Sequence, residues 1–371
     1  MTLIVHIVGA RPNFMKAAPV IEALGKYPEI SQILIHTGQH YDKNMSDIFF
    51  KQLNLPQPDV NLNVGSGSHA TQTAEIMIRL EKILNEIKPN LVLVYGDVNS
   101  TLAGALVCAK LLIPVGHVEA GLRSFDRTMP EEINRVLTDH ISDFLFTTSV
   151  DANENLSREG ISSEKIFFVG NTMIDTLIKL LPKAELLWHN GKFVLDQREY
   201  YPKTYVIVTL HRPSNVDNIE KLKKIIKILV EISHQIKVIF PVHPRTRSKL
   251  NLMSEINLNS QFHVTESLGY LEFLALQKHA KLVITDSGGV QEETTYLGIP
   301  CLTLRSNTER PITIKLGTNR LVSDIGRLKE IVYETIRDNT KFNCGEIPPL
   351  WDGKAGERIS KVITTYILDK K

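Results

Sequence analysis

Two acidic residues, Asp97 and Glu119, follow two successive predicted strands, 91–95 and 114–118. The first of these is an apolar run typical of a strand that is buried on both faces, as in a parallel sheet. Open α/β sheets bind their ligands at the carboxyl ends of such strands. Two carboxylates at that edge can serve as general acid and base. Alone, Asp97 would usually be interpreted as a helix cap and Glu119 as part of a salt bridge. Their occurrence as a pair favours a role in acid/base catalysis.

The stretch 282–304 indicates a strand, a glycine turn, a helix and a second strand. Ser287, Gly288 and Gly289 form the turn, and Glu293 follows about one helical turn later. Glycines let the backbone approach a ligand closely, and the N–H groups at a helix start favour an anion such as phosphate. Glu293 would then accept a hydrogen bond from a ribose hydroxyl. The alternative is an ordinary Gly-Gly turn at a sheet edge.

A similar unit begins the chain, with a predicted strand at 3–8 and a predicted helix at 14–24. Arg11 and Lys16 flank the turn between them. Cations near a helix N-terminus oppose the helix dipole, and an anion bound between them removes that conflict. This pattern favours a second anion site over two solvated basic side chains.

The composition is that of a globular protein, with 371 residues, 43% hydrophobic and 23% charged. This length predicts two domains. A net charge of +2 indicates no nucleic-acid partner. The three cysteines are far apart in sequence, which argues against disulfides or a zinc site and favours a reducing cytoplasm. The N-terminus is interpreted as a strand rather than a signal peptide, and no apolar run reaches the roughly 18 residues of a membrane span.

Two alternating β/α halves, joined near 172–201, predict an α/β protein with two doubly wound, Rossmann-like domains facing a cleft. The segments 56–69 and 188–201 are predicted to be irregular, and Ser100 and Thr101 to cap a helix. Polar residues follow the strands of both halves, namely Arg11, Asp97 and Glu119 in the first, and His211, His243, Ser287 and Glu293 in the second.

Seven motifs, in order along almost the whole chain, resemble the non-hydrolysing UDP-N-acetylglucosamine 2-epimerase family. They are Arg11-Pro12 with Lys16, Gly96-Asp97, the stretch 117–123, Pro130-Glu131-Glu132 with Asn134-Arg135, His211-Arg212, the stretch 286–289 with Gln291-Glu292-Glu293, and Glu309-Arg310-Pro311. The resemblance implies a glycosyltransferase-B-type fold, with an N-terminal domain at 1–171 and a UDP-binding domain at 172–355. It implies that the C-terminal helix 356–371 packs back on the first domain. It also implies a cytoplasmic homodimer that supplies activated sugars for surface polysaccharide.

The family is understood to invert C2 of the sugar by eliminating UDP across C1 and C2 and adding it back to the resulting glycal. The acid/base candidates implied by the motifs are Asp97, Glu119 and Glu131, and the sequence leaves open which removes the C2 proton. His211 would lie at the diphosphate and stabilise charge as the C1–O bond breaks. No nicotinamide cofactor or metal ion is expected.

The resemblance also implies how the substrate is bound. Arg11 and Lys16 would lie near the diphosphate. The remaining binding residues would be Ser287, Gly288 and Gly289 at the phosphates, Glu293 at the ribose, Arg310 at the nucleotide or sugar, and Phe273 either against uracil or in a helix core.

Two departures from the family pattern leave the substrate and regulation open. Where regulated members carry Gln-His-Arg-Gln, this chain has Gln39, His40 and then Asp42 in place of the second glutamine, which puts activation by substrate in doubt. The runs 94–101 and 122–125 resemble the branch that epimerises UDP-2,3-diacetamido-2,3-dideoxy-glucuronic acid. UDP-N-acetylglucosamine is expected first and the diacetamido uronate second. A hydrolysing epimerase, a retaining glycosyltransferase and a non-catalytic nucleotide-sugar-binding protein are three further candidate functions.

Overall fold

The computed structural model describes residues 2–39, 52–53, 55–242, 244–251, 258–338 and 345–369. The predictions that concern His40, Asp42 and His243 fall outside these residues. The chain divides into two compact units, Met1–Lys179 with Pro349–Lys371, and Leu180–Pro348. Among the described helices, none combines the length and apolar character that crossing a membrane requires.

The first unit is built on a parallel sheet whose described strands follow the order β3-β2-β1-β4-β5-β6-β7. The strands are β1 (Thr2–Val8), β2 (Ile30–His36), β3 (Val60–Asn61), β4 (Leu91–Tyr95), β5 (Val115–Ala120), β6 (Phe144–Thr147) and β7 (Ile166–Phe168). Every residue of β4 and β5 is buried, as expected for central strands with helices on both faces.

Helices connect these strands. They are α1 (Arg11–Leu24), α2 (His69–Ile87), α3 (Asn99–Lys110), α4 (Pro130–Ile141), α5 (Val150–Arg158) and α6 (Thr172–Glu185), with a 3-10 turn at Ser163–Lys165. Ser68 caps α2 by accepting a hydrogen bond from the Thr71 amide. The predicted caps Ser100 and Thr101 instead lie inside the first turn of α3, so that prediction was wrong.

The second unit repeats this plan with a parallel sheet in the order β12-β11-β10-β13-β14-β15. Its strands are β10 (Tyr205–Thr209), β11 (Lys237–Val242), β12 (Phe262–Glu266), β13 (Leu282–Thr285), β14 (Cys301–Thr303) and β15 (Asn319–Leu321), preceded by a hairpin of β8 (Phe193–Leu195) and β9 (Arg198–Tyr200). Its helices are α7 (Pro213–Val216), α8 (Ile219–Ser233), α9 (Pro244–Asn251), α10 (Tyr270–His279), α11 (Gly288–Leu297), α12 (Ile312–Lys315) and α13 (Leu328–Arg337), with a 3-10 turn at Ile325–Arg327. Apolar residues at helical spacing along α8 pack into the core beside the sheet.

Two segments predicted to be irregular contain short strands. The hairpin β8–β9 lies within 188–201, and the edge strand β3 lies within 56–69. The last helix, α14 (Ala355–Asp369), packs against α1 in the first unit. Asp175 of α6 caps it by accepting hydrogen bonds from the amides of Ala355 and Gly356, at 3.2 and 2.8 Å.

Both units share the doubly wound strand order in which ligands bind where the order reverses. In the first sheet this point lies between β1 and β4, which pair in parallel. In the second it lies between β10 and β13, which also pair in parallel. The residues that follow these four strands are therefore the candidates for each unit's site.

Candidate active site

A buried ion pair joins two of the predicted site residues in the first unit. Lys16 Nζ lies 2.7 Å from Glu119 Oε1, and the two side chains are 6% and 2% exposed. Lys16 comes from α1, which follows β1, and Glu119 lies at the end of β5. The pairing stabilises both charges in a place where water is nearly excluded.

Gly96 makes room for this pair. Its backbone has φ +64°, and a Cβ there would lie 2.6 Å from Lys16 Nζ. Glycine is therefore required both by the left-handed conformation and by the space that the ammonium group occupies. Glu119 is itself left-handed, with φ +76°, which is uncommon for a side-chain-bearing residue.

Asp97 is held beside this pair by α4. Its carboxylate accepts a hydrogen bond from Arg135 Nη2 at 2.6 Å, and its carbonyl accepts one from Asn134 Nδ2 at 2.8 Å. The Asp97 side chain is 20% exposed, whereas Arg135 is buried. The acid is thus fixed in position but remains accessible to a ligand.

The two neighbouring glutamates at the start of α4 have different surroundings. Glu132 is buried and accepts hydrogen bonds from the backbone of Ser124 and Phe125 and from Arg135. Glu131 is half-buried, and within the described part of the chain its carboxylate makes no hydrogen bond or ion pair. Glu132 therefore has a structural role, and Glu131 is available for chemistry.

The turn after β1 is organised by Asn13, which the sequence analysis did not single out. Its Oδ1 accepts hydrogen bonds from the amides of Gly9 and Ala10, each at 3.0 Å, and its Nδ2 donates to the Tyr95 carbonyl at 2.8 Å. Asn13 thereby ties the end of β1 to the end of β4. Arg11 is the first residue of α1 and is half-buried, so it lies in the helix rather than in the loop before it.

In the second unit, Asp286 anchors the loop that carries His211. The buried Asp286 carboxylate accepts hydrogen bonds from the amides of His211 and Arg212 at 3.0 and 3.1 Å, and from Asn215 Nδ2 at 3.0 Å. Its Oδ1 also lies 3.1 Å from His211 Nδ1. Burial alone would raise the pKa of Asp286, but the hydrogen bond and charge of His211 outweigh it, so this pKa lies below its ordinary value. The His211 ring is 55% exposed and is therefore held in place while still open to a ligand.

The start of α11 lies against a buried group of arginines and glutamates. Arg310 Nε lies 3.0 Å from Glu292 Oε1, and its Nη1 donates to Glu309. Arg305 Nη2 lies 2.7 Å from Glu309 Oε2. A Cβ on Gly288 would collide with the Arg310 guanidinium, so a larger residue at the first position of the helix would displace this side chain.

Glu293 lies further along α11 and is 3% exposed. It accepts a hydrogen bond from the Tyr270 hydroxyl at 3.0 Å. Burial raises the pKa of Glu293 to about 7. Phe273 lies one helical turn after Tyr270 on α10 and is half-buried, so part of its ring faces outward.

Each unit therefore brings several predicted residues together. In the first, Lys16, Glu119 and Gly96 meet, and Asp97 lies next in sequence to Gly96. In the second, His211 shares the switch point with the 286–289 turn, and Gly288 contacts Arg310. The described residues contain no group of three or more His, Cys, Asp or Glu that could hold a metal ion.

The fold and the acids at its strand ends define an enzyme of the two-domain, Rossmann-like class. A family model described as UDP-N-acetylglucosamine 2-epimerase matches residues 22–364, and the chain belongs to that family. The UDP-N-acetylglucosamine 2-epimerase of Methanocaldococcus jannaschii is 49% identical over 367 residues, covering 96% of this chain and 98% of that protein. A UDP-2,3-diacetamido-2,3-dideoxy-D-glucuronate 2-epimerase of Pseudomonas aeruginosa is 39% identical over 364 residues, covering 97% and 99%.

A solved structure shows the same likeness. The crystal structure of Methanocaldococcus jannaschii UDP-GlcNAc 2-epimerase in complex with UDP-GlcNAc and UDP has a TM-score of 0.88 and 46% identity, covering 98% of this chain and 100% of that chain. A rhamnosyltransferase complexed with thymidine diphosphate, 13% identical with a TM-score of 0.50, shares the fold alone. The predicted family and glycosyltransferase-B-type fold class are thereby confirmed.

Proposed function

We propose that this protein interconverts UDP-N-acetylglucosamine and UDP-N-acetylmannosamine as a non-hydrolysing 2-epimerase. A base removes the C2 proton, the electron pair forms a C1–C2 double bond, and UDP leaves with the electrons of the C1–O bond. A phosphate oxygen of UDP then adds to C1 while a proton is delivered to the opposite face of C2. The reaction is redox-neutral and proceeds by proton transfer, so it needs no nicotinamide cofactor and no metal ion.

One observation carries this proposal, namely the grouping of acids at the ends of neighbouring strands. Asp97 follows β4, Glu119 ends β5, and these strands pair in parallel. Glu131 lies four residues before Arg135, the partner of Asp97, and therefore on the same face of α4. Proton removal and return on opposite faces of one carbon need more than one acid/base group, and this arrangement supplies them.

The residues of the first unit act on the sugar in this proposal. Asp97, Glu119 and Glu131 are the acid/base groups. Lys16 holds the Glu119 carboxylate in position through their 2.7 Å contact. Arg11 and Lys16 also provide positive charge for the diphosphate as it departs.

The residues of the second unit hold UDP. Backbone N–H groups of Ser287, Gly288 and Gly289 at the start of α11 bind the phosphates, aided by the helix dipole. His211, held by Asp286, stabilises the charge that develops on the leaving group. The remaining contacts are made by Glu293 with the ribose, Arg310 with the nucleotide or sugar, and Phe273 with uracil.

The 2-epimerisation of UDP-2,3-diacetamido-2,3-dideoxy-glucuronic acid is the second candidate function. It is favoured by the Pseudomonas aeruginosa relative that carries this name and by the runs 94–101 and 122–125. UDP-N-acetylglucosamine stays first because the relative named for it is 49% rather than 39% identical. The enzyme would work in the cytoplasm as a homodimer, supplying activated sugars for surface polysaccharide.

Proton NMR in deuterated water tests the proposal. With UDP-N-acetylglucosamine, UDP-N-acetylmannosamine should appear with deuterium at C2 and without accumulation of free UDP. Accumulation of UDP and N-acetylmannosamine would instead identify a hydrolysing enzyme. If UDP-N-acetylglucosamine is unchanged but the diacetamido uronate is epimerised, the second candidate is correct. If neither changes, the proposal is wrong, and transfer to an added sugar acceptor would point to a glycosyltransferase.

A further inference from the structure

A buried carboxylate on α4, Asp139, contacts one residue before and one residue after Glu119. Its Oδ1 lies 2.6 Å from His117 Nδ1, and its Oδ2 accepts a hydrogen bond from the Gly121 amide at 3.1 Å. His117 and Gly121 are the residues two before and two after Glu119. The Asp139 side chain is fully buried, so neither contact competes with water.

The backbone that Asp139 spans is unusual. Glu119 has φ +76°, and the pairing of β5 with β6 shifts register between Val118 and Ala120. A residue with a Cβ is strained in the left-handed region and persists there only where its surroundings impose it. Asp139 contacts His117 and Gly121, on either side of Glu119, and these contacts hold Glu119 in the left-handed conformation.

The same contacts extend to the residue before Asp97. His117 Nε2 donates to the Gly96 carbonyl at 2.7 Å, and Gly96 is the left-handed glycine beside Lys16. Both ring nitrogens of His117 thus face oxygens, the Gly96 carbonyl and the Asp139 carboxylate. Asp139 is also paired with Arg123 Nη1 at 2.7 Å. Burial would raise the pKa of Asp139, but the charges and hydrogen bonds of His117 and Arg123 outweigh it and keep this pKa below its ordinary value.

Asp139 belongs to one face of α4. Glu131, Arg135 and Asp139 are spaced four residues apart, so their side chains line the same side of the helix. Along this side, the helix presents Glu131 at its start, holds Asp97 through Arg135, and holds the backbone around Glu119 through Asp139. A single rigid helix therefore sets the geometry of all three acids.

We propose that Asp139 is a positioning residue for the epimerisation, which fixes the strained end of β5 so that the Glu119 carboxylate meets Lys16 and the substrate. The inference rests on the proposed function. Asp139 does not touch the substrate in this account, and it acts through His117, Gly121 and the backbone of Glu119.

The test compares Asp139→Ala with Asp139→Asn. The alanine variant loses the contacts with His117, Gly121 and Arg123. We expect kcat to fall on the order of 100-fold while KM for UDP-N-acetylglucosamine and the affinity for UDP stay unchanged, because misplacement of a reacting group acts on the chemical step. The asparagine variant keeps an oxygen for the Gly121 amide and should recover part of the lost kcat. A role in stability alone would lower the melting temperature without this split between kcat and KM.

Asp143→Ala is the matched control. Asp143 also accepts a hydrogen bond from the backbone of β5, from the Val115 amide at 2.9 Å, but at the opposite end of the strand from Glu119. It should change the melting temperature without changing kcat. If Asp139→Ala does not fold, His117→Phe, which fills the ring volume but loses both hydrogen bonds, should lower kcat about tenfold.

A folded Asp139→Ala or His117→Phe enzyme whose kcat stays within twofold of wild type would overturn the proposal. So would a loss of activity in Asp143→Ala as large as that in Asp139→Ala. Both results require an active wild-type enzyme. An inactive wild type on either UDP-sugar would instead count against the proposed function, so the two failures are distinguishable.

Discussion

The ammonium group of Lys16 and the carboxylate of Glu119 lie 2.7 Å apart although 103 positions separate them in the chain. Their side chains are only 6% and 2% exposed, so each charge depends on the other. The contact joins the helix after β1 to the end of β5, across the end of β4 that lies between these strands in the sheet. This ion pair therefore places two opposite charges beside the switch point of the first sheet, where a ligand is expected to bind.

Lys16→Met should abolish turnover and destabilise the first unit. The variant leaves the Glu119 carboxylate buried without this partner, and breaking a buried ion pair costs about 3–5 kcal/mol. Urea unfolding should show this loss, and the double variant Lys16→Met/Glu119→Gln should recover most of the stability but none of the activity. Equal stability of Lys16→Met and wild type would show that the pair does not stabilise the unit.

Asp97→Asn should abolish turnover while UDP still binds. Loss of an acid/base group lowers rates by about 10²–10⁴-fold. UDP should still bind, because most of the residues proposed to hold it belong to the other unit and Arg11 and Lys16 are unchanged. NMR turnover assays and calorimetric titration with UDP measure the two properties separately. The amide can still accept from Arg135, so the fold should be retained. Normal turnover in this variant would remove Asp97 from the mechanism.

The placement of Asp97 and Glu119 at the ends of neighbouring strands could be predicted because 91–95 is a short, wholly apolar run and a second strand pattern, 114–118, follows after one predicted helix. The structure confirms this placement, since β4 and β5 pair in parallel. The contact of Glu119 with Lys16 could not be predicted. It depends on β1 lying beside β4, and strand order is set by packing over the whole unit rather than by local pattern.

Other features escaped prediction for local reasons. The hairpin β8–β9 turns at Asp196 and Gln197, which both have positive φ, whereas the glycine that normally marks such a turn is absent from these two positions. Asp139 looks like an ordinary polar residue of an amphipathic helix, because nothing nearby in sequence reveals its partners His117 and Gly121. Asp286 was part of a recognised motif, yet its role in holding His211 became visible only from its contacts.

His211→Ala should lower kcat about 10²–10³-fold, the range found when one group that stabilises developing charge is removed. Trapping of the released intermediate or direct NMR rates would locate the loss in UDP elimination. His234→Ala, at an exposed position in the same unit, is the control and should leave the rate unchanged. An unaltered rate in His211→Ala would refute its place at the diphosphate.

The stability of the ligand-free protein should depend on pH through Glu293. Burial raises the pKa of this carboxyl from 4.5 to about 7, so between these values the folded protein keeps a proton that the unfolded chain has lost. In this range the folded state binds more protons than the unfolded chain. The contribution of Glu293 to the free energy of unfolding therefore falls as the pH rises from about 4.5, and it levels off above about 7.

Glu293→Gln removes this titration, so its stability relative to wild type should rise by on the order of 3 kcal/mol between pH 4.5 and 8. Denaturant unfolding of both proteins across this range measures the difference. Glu266→Gln is the control, since the Glu266 side chain is 73% exposed and should give no such rise. A difference between Glu293→Gln and wild type that stays constant with pH would show that Glu293 is ionised in the folded protein throughout the range. In that case its burial is already compensated by the Tyr270 hydroxyl and its other polar neighbours.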